Sequence, residues 1–287
     1  MDRKFGEPVT GWTAPPAPGP DVLDGQYVRL ERLDAARHSA DLHSANLADD
    51  RIWDYLPYGP FTEVTAYRAW AEGMAPLADP FFYAIIDKST GKAAGVASWL
   101  RITPAAGSIE VGHINLSPSL QRTRGATEAM FLMMDWAFAA GYRRYEWKCD
   151  AMNLPSRRAA ERLGFSYEGI FRQAAVVKGR NRDTAWFAMI DTEWPALSAA
   201  YRTWLAPANF GSKLAHTGKS FLGRIVKGWN NWFQTGEEML RSLELASAYQ
   251  WNLARRDLFG MGPSPYGAGR ILPFVITGTR GYTTGVN

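Results

Sequence analysis

The stretch that most constrains the fold is 120–136, LQRTRGATEAMFLMMDW, in which a basic turn leads into a helix with an apolar face. Backbone N–H groups at a helix start point outward, and the helix dipole adds positive potential there. Arg122 and Arg124 add charge, while Gly125 and Ala126 are small enough to let a phosphate approach the backbone. The turn is therefore predicted to hold a phosphate or pyrophosphate, or else to be an ordinary loop before a helix.

The composition favours a globular chain in a reducing compartment. Of its 287 residues, 46% are hydrophobic and 13% aromatic, which is enough to build a core and argues against wholesale disorder. The net charge of +4 is too small to indicate nucleic-acid binding by itself. The single Cys149 excludes an intrachain disulfide. Since no secretory signal and no apolar run of membrane-spanning length is seen, a cytoplasmic location is expected.

Three regions differ in composition. Residues 1–24 form a proline-rich arm, expected to be extended or mobile, whose Trp12 is free to dock on the main body or on a second subunit. Residues 25–207 alternate strand-like and helix-like segments, as in one mixed α/β unit. Residues 208–287 hold nine Lys or Arg against four acidic residues, and twelve of the 27 glycines. The chain is therefore predicted to be an arm, a domain and a basic extension.

The hydrophobic patterns of the central region predict seven strands and five helices. The strands are predicted at 26–33, 81–87, 94–102, 108–116, 142–149, 165–174 and 183–191. The helices are predicted at 35–48, with Asp34 as the N-cap, at 62–75, after the turn at 121–126, at 155–163 and at 193–204. The order strand, helix, strand across 108–149 predicts a right-handed parallel pair. The aromatic loop at 53–61 either walls a binding cleft or packs on its own rings.

Two sequence blocks together with this element order resemble the GNAT superfamily of acyl-CoA N-acyltransferases over about residues 25–207. They are QRTRGATEAM at 121–130 and DAMNLPSRRAAERLGF at 150–165, the second followed by YEGIFRQ. The closest resemblance is to the ribosomal-protein N-acetyltransferase (RimJ/RimL-like) branch. It implies an α/β fold with a mixed sheet of six to seven strands flanked by helices. It also implies that acetyl-CoA binds in a V-shaped opening between the two parallel strands, and that the acceptor is an amine of a protein N-terminus or a small molecule.

The resemblance further implies which residues hold acetyl-CoA, whose pyrophosphate would lie on the turn at 121–126. These residues are Leu116, Gln121, Arg122, Thr123, Arg124, Gly125, Ala126, Thr127, Asn153 and Ser156. Arg124 stands where the family usually has glycine, so its side chain either lies along a phosphate or impairs the site. Asn153 and Ser156 match the family's N-x-x-S element, in which Asn bonds the pantetheine arm or helps to orient the thiol and Ser donates a proton to the leaving thiolate. The same two residues are also suited to capping the helix at 155–163.

Direct transfer to an amine requires a base, because the acceptor is protonated at neutral pH. Glu110 is the first candidate and His113 the second, although each is equally suited to a structural hydrogen bond. Their odd spacing on one strand predicts opposite faces, unless a bulge of the kind the family commonly has changes this. The expected mechanism passes through a tetrahedral intermediate, with a backbone N–H at 115–117 polarising the acetyl carbonyl. Cys149 is expected to be buried and not a nucleophile, no metal site is predicted, and the remaining histidines are interpreted as surface residues: His38, His43 and His216.

The basic extension contains a segment at 220–233, SFLGRIVKGWNNWF, with apolar residues at helical spacing. It is interpreted as packing on the acetyltransferase body or pairing in a homodimer, and the alternatives are contact with an anionic membrane surface or with RNA. A second helix is predicted at 235–258 and a short strand at 271–276. The main functional prediction is an acetyl-CoA-dependent N-acetyltransferase. The alternative is a catalytically silent acyl-CoA-binding or adaptor protein that acts through this extension.

Overall fold

Eight strands form one mixed sheet in the computed structural model, which describes residues 5–206. The strands are β1 (Val22–Asp24), β2 (Val28–Arg32), β3 (Phe81–Asp87), β4 (Lys92–Thr103), β5 (Ser108–Leu116), β6 (Arg144–Asp150), β7 (Ser166–Val177) and β8 (Arg180–Ile190). The helices are α1 (Ala35–Asn46), α2 (Val64–Met74), α3 (Arg124–Ala139), α4 (Leu154–Arg162) and α5 (Trp194–Leu205). The elements predicted at 220–233, 235–258 and 271–276 lie outside the described residues.

The strand order across the sheet is β1-β2-β3-β4-β5-β6-β8-β7, and β5 and β6 are its parallel pair. The predicted parallel pair and the mixed sheet with flanking helices are confirmed. The sheet has one strand more than the six to seven expected, because Val22–Asp24 pairs antiparallel with β2. A three-residue strand among glycines and prolines carries too little periodicity to be recognised from sequence.

The proline-rich arm also lies against the body over part of its length. Tyr142 Oη donates a hydrogen bond of 3.0 Å to the carbonyl of Pro16, and the Trp12 ring lies 5.8 Å from the Arg143 guanidinium. A methyl group on Gly107 would meet the Trp12 ring at 2.3 Å, so this glycine makes room for the indole. Trp12 was predicted to dock on the main body or on a second subunit, and in the structure it docks on the body.

The two faces of the sheet carry separate cores. Buried side chains of α3, α4 and α5 pack on one face, against β-strand residues such as Ile109, Val111 and Tyr145. On the other face, α1 and α2 pack against Phe82, Ala84 and Val96 of β3 and β4. The Asp34 side chain caps α1, as its sequence position predicts, by accepting from the N–H of Arg37. Among residues 5–206, no helix is both long and apolar enough to cross a bilayer.

Candidate active site

The parallel ladder between β5 and β6 stops partway along both strands. Its pairs run from Ser108 with Arg144 to Val111 with Trp147, yet β5 continues to Leu116 and β6 to Asp150. Beyond the last pair, β5 remains bonded to β4 and β6 to β8. The strands therefore part at their carboxyl ends and leave an opening whose edges carry backbone groups.

One backbone N–H on the β5 edge points into this opening. Ser117 N–H donates to the carbonyl of Ala94 at 3.0 Å, on the β4 side. Because N–H groups alternate between the two edges of a strand, the N–H of the preceding Leu116 points the other way, toward β6. The Gln121 side-chain amide, through Nε2, donates to the Leu116 carbonyl at 2.9 Å and so holds the turn against the end of the strand. A backbone N–H within 115–117 was predicted to polarise the acetyl carbonyl. The N–H of Leu116 is the one whose direction suits that role.

The start of α3 lies directly after β5 and is closed by a side-chain cap. Thr123 Oγ1 accepts from the N–H of Ala126 at 3.1 Å, and Arg122 adopts a left-handed backbone with φ of +60° that reverses the chain into the helix. The N–H groups of Arg122 and Gly125 make no hydrogen bond within residues 5–206. Fewer N–H groups are therefore available to a phosphate than the whole turn contains, because the Ala126 N–H is already bonded to the cap.

Two residues of the turn also contact other parts of the fold. Gly125 is buried, and a methyl group there would lie 2.7 Å from Val28 Cγ1, so its small size serves packing on β2. Arg124 donates to Tyr27 Oη at 2.6 Å, and its guanidinium lies 5.4 Å from the Tyr27 ring and 5.6 Å from the Trp204 ring. The Arg124 side chain is therefore held beside β2 and α5, and its backbone forms the first residue of α3.

The start of α4 approaches the opening from β6. Asn153 caps α4 by accepting from the N–H of Ser156 at 3.1 Å, as the capping interpretation predicts. Ser156 Oγ also accepts from Trp147 Nε1 at 3.0 Å, and Trp147 is the last β6 residue in the parallel ladder. Because Oγ accepts from the indole, its own proton remains for a second partner. Cys149 is one neighbour of this hydroxyl; it is buried, and burial raises the pKa of its thiol.

A bulge in β5 places both candidate bases on one face of the sheet. Between the pairs Val96–Asn115 and Ser98–Gly112, β4 has one residue and β5 has two. His113 lies in this bulge with φ of +50°. The Glu110 side chain alternates with Ile109 and Val111 of the α3 core, so it points to the α1 and α2 face. The His113 ring lies on that same face. The odd spacing alone predicts opposite faces, and the bulge that was allowed for as the exception changes this.

Glu110 is held by two cations. Its Oε1 accepts from Arg101 Nη1 at 2.6 Å, and Lys148 Nζ lies 2.9 Å from Oε2, at ion-pair distance although without good hydrogen-bond angles. Lys148 Nζ is also 2.7 Å from Glu146 Oε2 and 3.7 Å from the centre of the Trp186 ring. Glu110 is 3% exposed and the Lys148 side chain 8%, so the contact between these two occurs largely away from water, whereas the Arg101 side chain is 60% exposed. The carboxylate is consequently part of a buried ion-pair network.

His113 has the contacts of a neutral imidazole. Its ring is stacked on Tyr58 at 5.6 Å and packs on Phe82 at 5.1 Å. Burial, assisted by the charges of Arg101 and Arg182, lowers the pKa of His113 to about 4. Its Nδ1 is buried and has no protein hydrogen-bond partner within the described residues. At neutral pH this nitrogen can accept or relay a proton.

The aromatic loop has both of the roles weighed for it. Its Trp53 and Phe61 pack on each other and on Tyr67 of α2, so the loop is a cluster of its own rings. It is also tied to the elements around the opening, because Tyr55 Oη donates to the carbonyl of Met152 and Lys178 Nζ donates to that of Trp53. The loop therefore closes the α1 and α2 side of the cleft.

One of the other histidine assignments is wrong, and several site residues gave no recognisable signal. His38 is 3% exposed, and its Nδ1 accepts from the N–H of Asp34, so it is a core residue and not a surface residue. His216 lies outside the described residues. Buried polar partners that the sequence alone did not indicate are Tyr58, Glu128, Trp147 and Lys148. Their positions in strands, loops or a helix interior carry no motif, although a Glu within an apolar helix face is an anomaly that marks Glu128.

Comparison with known proteins agrees with this architecture. Residues 28–166 match the family model described as the acetyltransferase (GNAT) domain. The chain is 48% identical to a GCN5-related N-acetyltransferase of Brucella melitensis whose crystal structure is known, with a TM-score of 0.69 over 71% of this chain and 94% of that one. It is 42% identical to a probable GNAT acetyltransferase of Chromobacterium violaceum, with a TM-score of 0.64 over 68% and 98%.

A curated relative, the uncharacterized N-acetyltransferase p20 of Bacillus licheniformis, is 26% identical over 178 residues, which are 61% of this chain and 98% of the relative. The crystallised relatives are similar over nearly their whole length, and the parting strands and the capped α3 start lie within residues 28–166 that the family model matches. The chain therefore belongs to the GNAT family of acetyltransferases.

Proposed function

We propose that this acyltransferase uses acetyl-CoA and moves the acetyl group directly to a primary amine. The observation that carries the proposal is the parting of β5 and β6, with the Leu116 N–H on one edge and the starts of α3 and α4 beside it. In this arrangement, the α3 start and Arg122 would hold the pyrophosphate. The pantetheine arm would lie along the opening toward Asn153.

In the proposed reaction, the amine nitrogen attacks the acetyl carbon and the carbon–sulfur bond breaks. The Leu116 N–H supports the oxygen as negative charge develops on it, a contribution of roughly 3 kcal/mol for such donors. Ser156 donates its proton to the departing thiolate and regains one from solvent. The proton lost by the amine passes to a base on the α1 and α2 face.

The contacts of the two candidate bases favour His113 over Glu110, which reverses the order expected from sequence. Both Glu110 oxygens lie against cations, so accepting a proton would remove the carboxylate charge that Arg101 pairs with and one of the two that Lys148 pairs with. His113 is neutral at physiological pH and has an unoccupied nitrogen. We assign the proton relay to His113, directly or through water, and to Glu110 the linking of Arg101 on β4 to Lys148 on β6.

The silent adaptor alternative loses its main support. That alternative rested on Arg124 obstructing the predicted phosphate site, but the Arg124 side chain lies beside Tyr27 and Trp204. The RimJ/RimL-like branch, the identity of the amine and the roles given to 208–287, including a homodimer and membrane or RNA contact, stay predictions.

The proposal is tested by calorimetric titration with acetyl-CoA, followed by measurement of CoA release with a panel of amines. The panel contains peptides with free N-termini, polyamines and amino acids. We expect saturable binding, and CoA release with at least one acceptor class. A wild-type chain that is folded yet does not bind acetyl-CoA would contradict the proposal. The Gly125→Pro variant removes one N–H of the helix start and is expected to weaken binding. Because a Cβ at this position would lie 2.7 Å from Val28 Cγ1, its folding is checked by circular dichroism before the titration.

A further inference from the structure

The side of α3 that packs on β2 is joined to the beginning of that strand by one carboxylate. Glu128 is 4% exposed and accepts from three successive backbone N–H groups, those of Gln26 at 2.8 Å, Tyr27 at 2.6 Å and Val28 at 2.9 Å. Hydrogen bonds from N–H groups to a charged acceptor are roughly twice as strong as neutral ones. Glu128 therefore fixes the first turns of α3 relative to residues 26–28.

A second connection leaves the first residue of the same helix. Arg124 donates to Tyr27 Oη at 2.6 Å, and Tyr27 Oη in turn donates to the carbonyl of Leu205, the last residue of α5, at 3.1 Å. The guanidinium also lies over the Trp204 ring. Tyr27 thus has two contacts with α3. Its hydroxyl accepts from the Arg124 side chain, and its backbone N–H donates to the Glu128 carboxylate.

We propose that Glu128 and Arg124 are positioning residues for the acetyl-CoA site. This inference rests on the proposed function, because the start of α3 is the part assigned to the pyrophosphate. The attraction of a helix start for an anion falls off within one turn, so small displacements of that turn change it strongly. The two residues, acting through Tyr27, hold the turn in the place where its N–H groups meet the donor substrate.

The position of Arg124 gives the inference a sharp test, because the family usually has glycine there. If the side chain obstructed the site, Arg124→Gly would lower the KM for acetyl-CoA. If it holds the helix start, Arg124→Gly raises that KM, although the variant carries the family's usual residue. We expect a rise of about tenfold in the KM for acetyl-CoA for Arg124→Gly and for Glu128→Gln, with kcat within about twofold of wild type.

A matched control lies on the same two helices. Arg202 of α5 is 2.7 Å from Asp135 of α3, far along the helix from its start, and the Arg202 side chain is 61% exposed. Arg202→Ala removes a contact between α3 and α5 without touching Arg124, Tyr27 or Glu128. It is expected to leave the KM for acetyl-CoA unchanged. Hydrogen exchange of the amides at 125–127 provides a second measurement, and these amides should exchange faster in Glu128→Gln than in Arg202→Ala.

The variants are compared by steady-state kinetics, by calorimetry with CoA and by hydrogen exchange. Tyr27→Phe keeps the ring and removes only the hydroxyl, so it reports on the same contacts if Glu128→Gln does not fold. Wild-type binding of acetyl-CoA with an unchanged KM in Arg124→Gly and Tyr27→Phe would overturn the positioning role alone. Absence of binding by the wild-type chain would overturn the proposed function, and the positioning role with it.

Discussion

Trp147 Nε1 donates a hydrogen bond of 3.0 Å to Ser156 Oγ, which joins the last β6 residue of the parallel ladder to the start of α4. The bond fixes the oxygen and leaves the hydroxyl proton free for another acceptor. Ser156→Ala is therefore expected to lower kcat about 10- to 100-fold with little change in the KM for acetyl-CoA.

Trp147→Phe is the matched variant, because it keeps the ring and removes only the N–H that orients the serine. We expect a smaller fall in kcat than for Ser156→Ala, and both are measured by CoA release at saturating acetyl-CoA. Equal rates for Ser156→Ala and wild type would remove the serine from the mechanism.

The stability of the fold should fall as the pH drops from about 6.5 to about 4. Burial lowers the pKa of His113 to about 4 from the ordinary 6.5, so in this window the unfolded chain binds a proton that the folded chain does not. The loss attributable to His113 is at most about 3 kcal/mol and is complete near pH 4.

His113→Gln should flatten part of this dependence in urea unfolding measured at pH 7 and pH 4.5. The pKa of His38 is also lowered by burial, so His38→Gln should remove a further part of the slope. A slope unchanged by His113→Gln would show that the imidazole is not buried as described. Because His113 is already neutral near pH 6.5, a plot of kcat against pH should show no change near pH 6.5 that is caused by His113.

Lys148 should contribute far more to stability than Arg101, although both contact the same carboxylate. Lys148 has 8% of its side chain exposed and Arg101 has 60%. Lys148→Met leaves Glu110 and Glu146 close together without their shared cation, and we expect a loss of about 3 kcal/mol in the free energy of unfolding. Arg101→Gln should cost no more than about 1 kcal/mol, because exposed pairs are screened by water. Similar losses for the two variants, measured by urea denaturation, would contradict the burial argument.

The cap of α3 can be tested separately from its charge. Thr123→Ala removes the acceptor for the Ala126 N–H and is expected to cost about 1 kcal/mol of unfolding free energy. Thr123→Ser retains the hydroxyl and should behave like wild type. Thermal unfolding of the three proteins decides between these outcomes, and equal melting temperatures would mean that the cap is replaced by water.

The sequence predicted the order of elements well, because strands β2 to β8 and the five helices carry clear hydrophobic periods. Asp34 illustrates a local rule that held, since a cap is decided by neighbours a few residues away. Strand β1 was missed because three residues give no period, and its pairing with β2 depends on contacts that a local pattern does not contain.

The candidate site was less predictable for the same physical reason. The motif left open whether the Arg124 side chain lies along a phosphate or impairs the site, because its direction depends on Tyr27 and Trp204, which are distant in the sequence. Ligand approach at Gly125 stays a prediction, and the packing of Gly125 on Val28 is a further constraint that the motif does not contain. Sequence spacing could indicate which residues lie near the opening, but not which partner each side chain prefers.

The bulge at His113 divides β5 into two halves. The alternation of side chains between the two faces of the sheet is shifted by one residue from the first half to the second. The first half is fixed by its ladder with β6, and the second by the bond from Ser117 to Ala94. Deleting a single residue there would force one half to slip, and the N–H that faces the opening would then belong to a neighbour of Leu116. Length changes in this strand should therefore be tolerated much less well than substitutions, including substitutions of His113 itself.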